Sequence, residues 1–255
     1  MICAISYPSI AKDYTAEFST PEGTGPFPLV IISHGSGGVH PGLTRWSNDF
    51  KKIGLATIIM DHYGPRGWSR GKRPPKGEEA TEWRATDLID ILKEVISNEQ
   101  VDKAHIVLAG WSAGAALTMS GLENEDLYTE TGLSHSIKAG ILFYPYMYAC
   151  NVFDFTEISF PIIHIHGSED ETYEHCWEEN IKEMESDKYP LVSKIYDDAY
   201  HLFDAPHMTE KKCRRVRAAS DAPYPSYELC SEFNEEAYNN SRSDLKEFLM
   251  EHVIK

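Results

Sequence analysis

The sequence lacks any apolar run approaching the ~20 residues needed to cross a bilayer. Residues 1–8 carry neither a basic start nor the apolar core of a secretory leader. Basic charge is short as well: 24 Lys and Arg stand against 40 Asp and Glu, a net charge of −16. Such a surface repels a phosphate backbone and an anionic lipid surface, so neither nucleic acid nor a membrane is expected as partner. It says little about a small substrate, because one local arginine outweighs a distant field. Cysteine is sparse, with five in the chain and no CxxC pair, which excludes a zinc knuckle and a thioredoxin motif. The expectation is five reduced thiols in a soluble, cytoplasmic protein. For Cys213 and Cys230, which flank one long irregular segment, a disulfide is the alternative.

What is present is a set of short apolar runs at 29–33, 56–60, 106–109, 140–144, 162–166 and 191–196. Most are apolar at both parities, the pattern of strands buried on both faces of a parallel sheet. Amphipathic stretches lie between them. Leu43, Trp46, Phe50 and Ile53 share one helical face, as do Ala85, Leu88, Ile89, Leu92, Val95 and Ile96, and again Leu245, Phe248, Leu249 and Val253. Strand, helix, strand in repetition predicts right-handed crossovers and a doubly wound, mostly parallel sheet flanked by helices, in one domain over 1–255. Two stretches break the rhythm. Residues 63–76 are rich in Gly, Pro and Arg and read as a loop. Residues 202–240 are long and polar, with Pro206, Pro223 and Pro225, and loops of that length are often functional.

The sharpest motif is Gly110-Trp111-Ser112-Ala113-Gly114, a G-x-S-x-G set between an apolar run and an Ala-rich helical stretch. That is the strand–turn–helix context of a nucleophile elbow, in which the turn leaves room only for small residues around an exposed serine. A serine hydroxyl needs a base oriented by a third group, and with this elbow the order along the chain is Ser, acid, His. After the run 162–166 comes Gly167-Ser168-Glu169-Asp170-Glu171, and Asp170 is the best acid, with Glu169 and Glu171 as neighbours. After the run 191–196 comes His201, the best base, with His207 in reserve. An oxyanion needs two backbone donors. The Ala113 N–H is one, and the glycine-rich His34-Gly35-Ser36-Gly37-Gly38 supplies the other, from Ser36 or else Gly37. His164 and His166, two apart on one strand, form only a weak metal motif. Neither metal nor cofactor is expected.

The ordered set HGSGG, DHYGPRG, GWSAG, HGSED and AYHLF resembles the dienelactone hydrolase family, over roughly residues 29–203. The resemblance implies an α/β-hydrolase fold without a large lid, an esterase or lactonase activity, and Ser112, Asp170 and His201 as triad. The namesake enzymes use cysteine at the elbow. Serine at that place points away from dienelactone itself and toward carboxylic esters or acylated sugars. Within DHYGPRG, Arg66 is a candidate for binding a substrate carboxylate, the competing reading being that it pins its own loop, and Trp111 is a second candidate substrate contact. Arg84 and Asp87 read as structural. The alternatives to an ester or lactone hydrolase are a peptidase or acyltransferase on the same triad, and a non-catalytic binding protein on the same fold. The expected partner is a small ester or lactone.

Overall fold

The computed structural model describes residues 15–69, 79–123, 131–133, 136–145, 160–173, 177, 181, 190–217 and 226–254. Seven strands form one sheet: β1 (Thr15–Ser19), β2 (Phe27–Ser33), β3 (Ala56–Asp61), β4 (Val101–Trp111), β5 (Ile137–Phe143), β6 (Ile162–Gly167) and β7 (Leu191–Tyr196). Their order is β1-β3-β2-β4-β5-β6-β7. Only β1 runs antiparallel, on β3; every other pairing in this sheet is parallel.

The two-parity apolar pattern of the inner strands is divided between two cores. Leu29, Ile31, Ile58, Ile106 and Leu108 face helix α2 (Glu79–Val95) through Leu88, Ile91, Leu92 and Val95, and helix α3 (Ala113–Glu123) through Ala115, Leu117 and Met119. Val30, Ile32, Val107, Ala109, Ile163 and Ile165 face the opposite way. There they meet helix α1 (Pro41–Lys52) through Leu43, Trp46 and Phe50, and helix α4 (Glu235–His252) through Leu245, Phe248 and Leu249. Burying one such side chain contributes roughly 2 kcal/mol, so each face drives its own helix pair onto the sheet. The expected fold class, a mostly parallel sheet flanked by helices, is the one found.

Three differences from expectation have physical causes. Among the described residues strand β7 is the sheet edge, so its side chains are largely half-buried, unlike the doubly buried inner strands. Among the described residues strand β1 pairs on one side only, and its sequence Thr-Ala-Glu-Phe-Ser lacks a strong apolar run. The segment 202–240, expected to be irregular, holds a hairpin of β8 (Lys212–Val216) and β9 (Tyr227–Ser231) and the start of α4, with Asn234 as its N-cap accepting the Ala237 N–H. The hairpin carries a Cys213–Cys230 disulfide between directly opposed residues, which corrects the expectation that all five thiols are reduced. No described helix is long and apolar enough to cross a membrane.

Candidate active site

Ser112 sits between the last residue of β4 and the first of α3, with φ at +54°. A non-glycine residue is held in that left-handed region at a cost of about 1–2 kcal/mol. The surroundings enforce it. The Ser112 N–H donates to Phe143 O on the neighbouring strand (2.9 Å), while Ser112 O accepts the Ala115 N–H (2.9 Å). A side chain at Gly110 would overlap the Gly114 carbonyl, and one at Gly114 would overlap the Ser33 carbonyl. The glycines of the motif are therefore there because backbone occupies their side-chain space.

The other two parts of the expected triad arrive from neighbouring turns. Asp170 follows β6 and His201 follows β7. Those turns are stitched together: the Ser168 N–H donates to Tyr196 O (2.9 Å), the Glu169 N–H to Ala199 O (3.0 Å) and the Asp198 N–H to Ser168 Oγ (3.1 Å). The result is a continuous chain. His201 Nε2 lies 3.1 Å from Ser112 Oγ, and His201 Nδ1 lies 2.6 Å from Asp170 Oδ2. All three side chains are buried. Of the neighbouring acids, Glu169 is exposed, and Glu171 accepts the Cys230 N–H at 3.4 Å. His207 lies against His40 at the N-cap of α1 instead of beside Ser112.

Burial alone would push the Asp170 carboxyl up. The facing His201, its hydrogen bond, and the Thr172 hydroxyl overcome that and hold it at about 2. Asp170 is thus an anion that only accepts, which fixes the direction of every bond behind it. Thr172 donates both N–H (3.0 Å) and hydroxyl (2.7 Å) to Asp170 Oδ1. The hydroxyl proton being committed, Thr172 accepts from His166 Nε2–H at 2.8 Å. Burial lowers His166 to about 4, so its Nδ1 is bare and accepts from His164 Nε2–H (2.9 Å). His164 Nδ1 in turn accepts from the Ser193 hydroxyl (3.2 Å). The His164–His166 pair is a proton-ordered relay ending on Asp170. The residues at the metal-motif positions hydrogen-bond each other.

The glycine-rich turn lies against the nucleophile. A Cβ on Gly35 would come within 3.2 Å of Ser112 Cβ. The turn is held from behind: His34 Nδ1–H donates to Gly35 O (2.7 Å), His34 Nε2 accepts the His62 N–H (3.2 Å), and Arg84 donates to His34 O (2.9 Å). Among the described residues, nothing accepts a hydrogen bond from the Ser36 N–H or the Ala113 N–H.

Of the two candidate substrate contacts, Arg66 follows its competing reading and Trp111 is corrected. Arg66 donates both arms of its guanidinium to Asp87 (2.7 and 2.9 Å) and a further bond to His62 O (2.9 Å), so its fork is already occupied. Trp111 is fully buried, stacks on Phe143, and donates its Nε1–H to Asp204 Oδ2 (2.7 Å). It supports the site from beneath. Asp204 was not anticipated. Fully buried, it also accepts from Trp46 Nε1 (2.7 Å) and from the Tyr144 hydroxyl (2.6 Å), and the Tyr144 ring packs 4.5 Å from that of His201. Among the described residues one close group of potential metal ligands occurs, Cys213, Glu228 and Cys230, and its two sulfurs are bonded to each other.

A serine at a strand–helix elbow, an imidazole and a carboxylate in line, all at one end of a mostly parallel sheet, define an α/β-hydrolase. The chain belongs to the dienelactone hydrolase family, whose model it matches over residues 15–253. Solved structures with the same fold include a dienelactone hydrolase-like promiscuous phosphotriesterase from metagenomic libraries (16% identity, 94% of this chain and 93% of that one, TM-score 0.62). Another is Est1E of Butyrivibrio proteoclasticus with ferulic acid bound (17%, 95% and 96%, TM-score 0.62). A third is a carboxylesterase of Lactobacillus plantarum (17%, 93% and 92%, TM-score 0.59). Among curated proteins, an uncharacterised 31.7 kDa Escherichia coli protein from the traX-finO intergenic region is 33% identical over 112 residues, 44% of this chain and 38% of that protein. The match thus spans well under half of that relative's length. The family is one of hydrolases.

Proposed function

We propose that this protein hydrolyses carboxylic esters or lactones through an acyl-enzyme on Ser112. The observation that carries the reading is the unbroken chain Ser112 Oγ to His201 (3.1 Å) to Asp170 (2.6 Å). The neutral His201 takes the hydroxyl proton at Nε2 as Ser112 Oγ attacks the carbonyl carbon. Asp170, held anionic by its donors, keeps the Nδ1 proton in place and stabilises the imidazolium. The carbonyl oxygen becomes an oxyanion facing the Ser36 and Ala113 N–H groups, which strengthen their bonds as charge develops. The imidazolium then protonates the departing alkoxide. Water, deprotonated by His201, attacks the acyl-enzyme, and collapse of the second oxyanion releases the acid and restores the serine.

No cofactor or metal enters this scheme, and the proposed partner is a small-molecule ester or lactone. The Cys213–Cys230 bond supports an oxidising compartment in place of the expected cytoplasm, since such bonds persist there and are rare in reducing cells. The test is a panel of p-nitrophenyl esters, lactones and acetylated sugars offered to wild type and Ser112→Ala. Removing the nucleophile is expected to lower kcat by ~10⁶ with an unchanged circular dichroism spectrum. Turnover within tenfold of wild type would overturn the reading.

A further inference from the structure

Strands β8 and β9 form a two-stranded sheet apart from the seven-stranded one. A ribbon of two strands is marginal by itself in water. The register puts Val216 opposite Tyr227 on one face and Cys213 opposite Cys230 on the other. Val216, Tyr227 and Leu229 are buried together and hold the end of the ribbon remote from Ser231. At the open end, the chain arrives from His201 and leaves for α4. That end is clasped by the Cys213–Cys230 bond. Cys213 is exposed and Cys230 is buried, so solvent reaches the bond from the β8 side.

The clasped end touches both turns that carry the site. Cys230 O accepts the His201 N–H at 3.1 Å, and Ser231 forms a parallel bridge with His201. The Cys230 N–H donates to Glu171 Oε2 at 3.4 Å, and Glu171 adjoins Asp170. Residues 202–211 join His201 directly to β8. The backbone of Cys230 thus supplies the acceptor that fixes the base, while its side chain is tied to the strand that the base's own loop enters. A misplacement of about 1 Å at a catalytic group costs up to about a hundredfold in rate, so whatever holds Cys230 in place bears on His201.

We infer that the Cys213–Cys230 bond is a redox switch on the base: oxidised, it holds His201 in line with Ser112, and reduced by a dithiol, it frees the open end of the hairpin and slows the enzyme. The activity it regulates rests on the ester-hydrolase reading. The chemistry is thiol–disulfide exchange. A thiolate of the dithiol attacks Cys213 Sγ, the exposed sulfur, and the electron pair of the S–S bond departs on Cys230 Sγ, which takes up a proton. The second thiolate of the dithiol then displaces Cys213 Sγ, which is protonated in turn. Two protein thiols and one oxidised reductant result, with two electrons and two protons passed to the protein. Full activity is thereby confined to compartments in which such bonds persist.

The test starts from wild type reduced with excess dithiothreitol under native conditions and argon, freed of the reagent, and assayed on p-nitrophenyl acetate. Alkylation and peptide mapping identify the free thiols. On reduction kcat is expected to fall about tenfold with KM nearly unchanged, and to return after reoxidation with oxidised glutathione. Cys213→Ser/Cys230→Ser is expected to sit at the reduced level under both conditions. It retains Cys3, Cys150 and Cys176, so a response through those thiols would show there. Hydrogen exchange in the peptide containing His201 reads the loosening without turnover, and is expected to quicken on reduction. A bond that withstands excess dithiol, or a reduced enzyme with unchanged kcat, overturns the inference, as does an equal loss on reduction in the double variant. If neither form cleaves an ester yet reduction quickens exchange at His201, the redox hold on His201 stands and the ester-hydrolase reading falls.

Discussion

A carboxylate without solvent contact must find donors, and Asp204 finds three uncharged ones: two indoles and a phenol. Through them one side chain ties α1 (Trp46), the residue preceding the nucleophile (Trp111) and the ring against His201 (Tyr144). Replacing it with alanine strands three buried donors, each costing about 1–3 kcal/mol. Asp204→Ala is expected to lose at least ~3 kcal/mol in urea unfolding, and a loss under 1 kcal/mol would show that the bonds contribute little. At the acid, Asp170→Asn removes the acceptor of His201 Nδ1–H and is expected to lower kcat by roughly 10⁴, with Glu169→Gln and Glu171→Gln milder. A larger loss in either glutamate variant would move the acid's role to that residue. The alignment of Ser112, His201 and Asp170 was legible because each residue sits at a fixed place after a recognisable strand. Asp204 was not, because its partners Trp46 and Tyr144 lie 158 and 60 positions away, and nothing local marks it. Trp111 was misread as a substrate contact for the same reason: Asp204, which occupies its Nε1–H, lies 93 positions away.

Among elements, the inner strands announced themselves because both faces are buried and both parities must be apolar. The β8–β9 hairpin did not, because a long polar stretch with Pro206, Pro223 and Pro225 read as loop, and the strand character of β8 comes from pairing with β9 and from the disulfide. Closing a loop of 17 residues restricts the unfolded chain by ~3 kcal/mol. The hairpin also supplies the acceptor for the His201 N–H. Cys213→Ser/Cys230→Ser is therefore expected to lower both stability and kcat. Peptide mapping without reductant checks the bond itself by finding residues 213 and 230 in one cross-linked fragment. Full activity and an unchanged melting temperature in the double variant would show that the hairpin neither braces the fold nor steadies the base.

For the whole molecule, four buried histidines have pKa values lowered chiefly by burial: His34, His62, His164 and His166. The unfolded chain binds protons at these sites near pH 6.5 and the folded chain does not, so stability rises with pH between the two values. For His166, with a folded value of about 4, the contribution is complete above pH ~6.5 and is lost by pH ~4, roughly 3 kcal/mol. Urea unfolding at pH 7 and pH 5 is expected to show a marked loss on acidification that His166→Gln reduces; equal slopes in both proteins would contradict the neutral relay behind Asp170. The central claim, that the fold delivers one activated serine, is tested most directly by covalent labelling. Wild type is incubated with a fluorophosphonate and the modified peptide is identified by mass spectrometry. A single phosphonylated site at Ser112 is expected, formed far more slowly in His201→Ala and absent in Ser112→Ala. Labelling at another residue, or at the same rate without His201, would contradict the account.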